Sequence, residues 1–149
     1  GTAFAKAYFS PKKEMIQKAE AIAVVNITSV VETNTEPVEH VPGWAYRQKA
    51  TAEVERSLKG DAKGTIEIYG MESFICAQCR YEKGKFLVFL RKENGRWVGS
   101  NWQPGIRPIT GDNVSWLTKD DDAFESKPAP LADVIAEIEA QVKKDAAAK

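Results

Sequence analysis

The chain has 149 residues, with 21 Lys+Arg against 21 Asp+Glu, so its formal net charge is zero. That length suits one domain, on a prior of roughly 150 residues each, and can bury a core without a metal or disulfide staple. The charge balance, with a pI of ≈ 6.8, argues against a strong polyanion binder, and no apolar run approaches the roughly 18 residues of a membrane span.

Gly1 to Ala7 contains Ala3-Phe4-Ala5, the small-x-small form of a signal-peptidase site. The segment reads equally as a cleavage remnant or as a flexible leader or cloning scar. Ser10-Pro11 signals a helix start, with Ser as the cap and Pro at the first helical position. Met15, Ile16 and Ala19 carry the stripe of a short helix over about residues 11–19.

Ala21 to Val31 reads as a long strand, apolar on both alternating sets and therefore covered on both faces. Residues 34–43 hold Pro37, Pro42 and Gly43 and read as a loop. Tyr46, Gln48, Ala50, Ala52, Val54 and Leu58 share one parity, broken by Arg56, opposite Arg47, Lys49, Thr51, Glu53, Glu55 and Ser57, which predicts a strand with one wet face. Thr65 to Tyr69 is a short strand.

Phe86 to Leu90 is a nearly continuous apolar strand, and Asn94-Gly95 predicts a tight type I′ hairpin. That turn sets Glu93 opposite Arg96, Leu90 opposite Gly99 and Leu87 opposite Trp102. Asn113 to Leu117 is one more short strand. Lys119 to Pro130 reads as an acidic, Pro-containing connector. Leu131, Val134, Ile135, Ile138 and Val142 then form one face of a helix over 131–145, with Leu87 and Phe89 as its docking surface. Trp97, Trp102 and Trp116 could line a ligand groove or seal a barrel end, and Trp102, in a Trp-Gln-Pro-Gly turn, is assigned to packing. The whole predicts a mainly β chain: a small antiparallel barrel of five to six strands, with an N-terminal helix and a docked C-terminal helix.

Catalytic motifs are absent. His40 is the only histidine, in a Pro-flanked loop, and no nucleophile elbow, phosphate-cradling glycine loop or H-E-x-x-H occurs. Asp120-Asp121-Asp122 with Glu125 lacks the spacing of a calcium loop and reads as solvated. No enzyme activity, cofactor or metal is expected.

Cys76-Ala77-Gln78-Cys79 admits four readings: a redox-active pair, half of a zinc site, two free thiols, or a local disulfide. Too few residues follow for the helix that activates a redox pair, and four zinc ligands are not present. The disulfide Cys76–Cys79 is favoured. With the Ala3-Phe4-Ala5 trio it points to an exported protein, periplasmic or secreted.

The order of features resembles a known group. A helix leads into Ala19 to Ile27; next come Ala52-Glu53-Val54 running to Leu58-Lys59-Gly60, then Ile66-Glu67-Ile68, a Cys region and Gly84 to Leu90. Over about residues 11–110 this is similar to the tissue-inhibitor-of-metalloproteinases and netrin C-terminal (NTR-like) superfamily, in its undecorated bacterial form. The resemblance implies an OB-like five-stranded barrel, with residues 11–149 as one such domain and 1–10 outside it. The animal inhibitors set an N-terminal Cys-x-Cys on the protease zinc, and no cysteine precedes Cys76 here. They also carry Met-Glu-Ser-x-Cys in a protease-touching connector, echoed with one extra residue by Met71-Glu72-Ser73-Phe74-Ile75-Cys76.

The leading expectation is therefore a non-enzymatic, exported protein-interaction or inhibitor-like module. Its contact loop contains Met71, Glu72, Ser73 and Phe74. One alternative is OB-type binding of single-stranded nucleic acid or oligosaccharide on a face with Arg80, Tyr81 and Trp97, nucleic acid being the less favoured. A second is thiol–disulfide activity of Cys76 and Cys79. Residues 61–110 carry 8 basic and 5 acidic side chains, and residues 111–149 carry 5 and 9, so the zero net charge conceals a mildly basic half and an acidic tail.

Overall fold

In a computed structural model the chain is mainly β, with an N-terminal and a C-terminal helix. The structure describes residues 8–37, 44–73 and 78–149. Helix α1 (Lys12–Lys18) starts later than its sequence signals: Pro11, extended, is the N-cap residue and no side chain caps the helix. Ser10 is buried, and its backbone bonds to a side chain described below. At the other end of α1, Lys59 Nζ donates to the carbonyls of Ile16 (3.0 Å) and Gln17 (2.9 Å).

Strand β1 (Ala21–Pro37) pairs antiparallel with β2 (Trp44–Lys59), and β2 with β3 (Thr65–Ser73). β4 is only Gln78–Cys79, against β3. β5 (Gly84–Glu93) and β6 (Arg96–Gly99) form the hairpin at Asn94-Gly95, whose φ angles of 50° and 77° are both positive, as a type I′ turn requires. β5 also pairs with β1, from Ala21 opposite Leu90 to Ile27 opposite Gly84. β1, β2, β3, β6 and β5 thus close a ring of five strands.

The expected antiparallel scheme fails at one contact. β3 and β6 run parallel, with Ile68 opposite Trp97 and Tyr69 opposite Val98. Topology demands it: strand directions cannot alternate around a ring with an odd number of members.

The hairpin register holds for Glu93–Arg96 and Leu90–Gly99. Leu87, however, faces Arg107 of β7 (Ile106–Thr110), not Trp102. β6 ends at Gly99, and Trp102, at φ 52°, turns the chain into a short 3-10 turn, Gln103–Gly105. β7 leads to β8 (Asn113–Leu117), then β9 (Ser126–Pro130), placed inside the segment expected to be a connector. Pro128 and Pro130 conceal β9 in the sequence, yet it ends the sheet order, where proline is tolerated.

Helix α2 (Leu131–Ala147) docks as its stripe predicts. One core lies inside the ring, with Ala21, Ala23, Val25, Ile68, Val88 and Val98. The other lies outside it, where Val134 and Ile138 join Leu87, Phe89, Trp116, Met15, Ile22 and Val24. β1 therefore serves both cores, which is why both of its alternating sets are apolar. Phe89 and Trp116 stack at 6.1 Å between ring centroids.

One buried cation ties the second core together. Lys12 Nζ lies 2.9 Å from Glu137 and 3.5 Å from Asp120, and 5.5 Å above the Trp116 ring. Trp116 Nε1 donates to the same Glu137 carboxylate at 3.2 Å. Pairing makes a buried lysine tolerable.

Ile138→Ala should cost about 3 kcal/mol in urea unfolding, with the native circular dichroism kept. A loss below about 1 kcal/mol would mean that α2 is not a structural part of the second core.

Candidate functional site

The segment expected to make protein contacts is an excursion from one strand edge. Met71 pairs with Cys79 and Glu72 with Gln78, so the chain leaves β3 and returns beside it as β4. Phe74 and Cys76, both singled out by sequence, lie outside the described residues. The base of the excursion is buried, with Met71 1% and Cys79 0% exposed.

Gly99 makes that burial feasible. A Cβ there would sit 2.5 Å from Cys79 Sγ and 3.2 Å from the Tyr81 hydroxyl, so only glycine lets Cys79 pack against β6. Cys79 Sγ donates to Tyr81 Oη at 3.5 Å.

The expected disulfide is not formed: no bond joins the two cysteines, and Cys79 is a free buried thiol. Its Sγ is committed to the interior beside Gly99 and Tyr81. Burial pushes the thiol pKa up to about 11. A reactive thiol needs the reverse, a partly exposed electropositive setting.

Among the described residues no strand pairs with Arg80 and Tyr81, and two glutamine side chains serve instead. Tyr81 N–H donates to Gln48 Oε1 (2.8 Å), and Gln48 Nε2 donates back to the Tyr81 carbonyl (3.3 Å). Arg80 N–H donates to Gln103 Oε1 (2.9 Å), and Gln103 Nε2 donates to the Arg80 carbonyl (3.2 Å). A carboxamide carries one donor group and one acceptor, as a peptide does, so each glutamine mimics a neighbouring strand for one residue. Asn101 does the same at Ser10, with bonds of 2.6 and 2.9 Å.

Gln48 is 3% exposed and also donates to Glu32 Oε1 at 3.1 Å. Arg80 reaches the same oxygen at 2.6 Å. The Gln48 hydrogen bond, then the Arg80 charge, holds the Glu32 carboxyl below its ordinary pKa. Glu32, Gln48, Arg80 and Tyr81 thus form one connected polar set at the root of the excursion.

The suggested ligand face of Arg80, Tyr81 and Trp97 does not assemble as one open surface. Tyr81 is 3% exposed with its hydroxyl against Cys79, and burial raises its pKa well above the ordinary value. Arg80 is engaged by Glu32. Trp97 is 8% exposed and capped by the Lys92 ammonium, 4.4 Å from its ring centroid. Trp102 is buried too, in line with its assignment to packing, and so is Trp116.

The three clamping residues, Gln48, Gln103 and Asn101, were not picked out as site residues. For Gln48 a signal exists: it is a polar residue flanked by Tyr46 and Ala50 on the inward parity of β2. Gln103 and Asn101 lie in an irregular segment where no periodicity marks them.

Two outcomes follow from this geometry. In the native state Cys79 should resist thiol reagents, and titration under denaturant should find two thiols per chain; one disulfide and no thiol would refute the free-thiol assignment. Gln48→Leu strands the Tyr81 peptide groups and should cost about 2 kcal/mol, with faster amide exchange at Tyr81.

Comparison with known proteins found no matching family model, no matching curated protein and no matching solved structure.

Proposed function

We propose that the protein is a non-enzymatic, exported protein-contact module of the tissue-inhibitor and netrin type, built on an OB-like barrel. It meets its partner through the tip of the Met71–Cys79 excursion. The observation that carries this reading is the anchoring of the base: Met71 and Cys79 are buried and paired, and the following two residues are each gripped by a glutamine. Burial and pairing of Met71 and Cys79 fix where the segment leaves and rejoins the sheet, which lowers the cost of placing a contact between them.

The OB-like part is supported by the closed ring of five strands and by the crossing from β3 past β6 to β5, a Greek-key feature of such barrels. Export rests on the Ala3-Phe4-Ala5 trio, since the free Cys79 withdraws the disulfide from that argument. The proposal does not use a cysteine chelate on a protease metal.

The test replaces residues 73–77 with Gly-Ser-Gly-Ser-Gly and compares the two proteins as baits on native envelope and secreted fractions. The intact protein should retain a saturable partner. The variant should lose at least about tenfold in affinity, or 1.4 kcal/mol, with its melting temperature unchanged. Equal capture by both, or none by either, would overturn the proposal.

A further inference from the structure

The ring is closed along only part of β1. β5 covers one edge of β1 from Ala21 to Ile27, which stands opposite Gly84 at the start of β5. β1 runs on to Pro37, and among the described residues no strand pairs with that edge beyond Ile27. One extra residue of β1 lies between the pairs Ile27–Ala52 and Ser29–Thr51, where the strand parts from β5. Ser29 to Glu32 then run in even register against Thr51 to Gln48. None of residues 28–33 is buried, and Val31 is 54% exposed, so the fold leaves this stretch accessible.

A strand edge offers N–H and C=O groups in alternation, and the complement of that pattern is another extended strand. Native sheets guard such edges with lysine or proline. β9, at the end of the sheet order, is guarded in this way by Lys127, Pro128 and Pro130. Residues 28–33 read Thr-Ser-Val-Val-Glu-Thr, with neither guard and with β-branched side chains at Thr28, Val30, Val31 and Thr33. The one charge among them, Glu32, is matched within the chain by Arg80.

We propose that this edge pairs with the same edge of a second copy of the chain, antiparallel about a two-fold axis at Val31. In an antiparallel pair, residues directly opposite each other send their backbone groups the same way, across or outward, and that direction alternates along each strand. A two-fold axis must then pass through a residue and not between two. At Val31 it sets Val31 opposite Val31 of the partner subunit, Val30 opposite the partner's Glu32 and Ser29 opposite the partner's Thr33. No like charges meet, and the exposed Val31 side chain is covered by its counterpart. The contact is isologous, so it closes as a dimer and joins two rings through one continuous sheet.

Sedimentation of the whole chain, from low micromolar concentration into the hundred-micromolar range, tests this. The wild type should pass from monomer to dimer and form nothing larger. Val31→Lys should weaken dimerisation at least about tenfold, because two ammonium groups then face each other across the axis. Val31→Glu should do the same. An equimolar mixture of the two variants should recover the dimer, since opposite charges then meet at residue 31. Val31 lies on the surface, so both variants should keep the wild-type melting temperature at concentrations where all are monomeric. A monomer at every concentration would overturn the proposal and leave the edge to a strand of another protein. Dimers indifferent to Val31→Lys, or a mixture that associates no better than either variant alone, would overturn it as well.

Discussion

An odd ring of strands must contain one parallel contact, and the rest of this architecture follows from where that contact falls. It lies between β3 and β6 and spans two residue pairs, Ile68–Trp97 and Tyr69–Val98. β6 has only four residues, so it cannot cover the remainder of β3. Past Tyr69 the edge of β3 is taken by β4 instead. The excursion between Met71 and Cys79 is thus what this end of the ring has in place of a full strand.

That solution leaves backbone groups without strand partners, and where they are buried, as at Tyr81, each unpaired group costs about 1–3 kcal/mol. Carboxamides meet the need. Successive residues of an extended chain direct their peptide groups to opposite sides, and Arg80 and Tyr81 are held from different elements, by Gln103 and by Gln48 of β2. The same device at Ser10 and Asn101 fixes the entry into α1, where no side-chain cap operates. Gly99 is the steric counterpart, since any larger residue would drive Cys79 out of the position that the clamps define.

Periodicity made most of the strands legible, and the reasons for the exceptions are specific. β1 could be read because both of its faces are buried, and α2 because its stripe has a single place to dock. Asn94-Gly95 fixed a register that the structure reproduces as far as Gly99. β9 was hidden by its prolines, which tell against a strand in the middle of a sheet but not at its edge. The disulfide failed because sequence spacing says nothing about burial: Cys79 points into the core as one more small apolar side chain, a common fate for cysteine. The clamps escaped notice because their meaning lies in which backbone they face, a tertiary fact.

The zero net charge also takes on a different meaning once its pairs are placed. Acidic side chains of the C-terminal segment are spent on particular cations: Asp120 and Glu137 on Lys12, Glu139 on Arg56, and Glu125 on Lys119. None of these pairs involves the β5–β6 hairpin. Beyond a Debye length of about 8 Å at physiological salt, charges in one region do little to offset those in another. Neutrality of the whole chain is therefore a sum over separately paired regions and no guide to the charge of any one face.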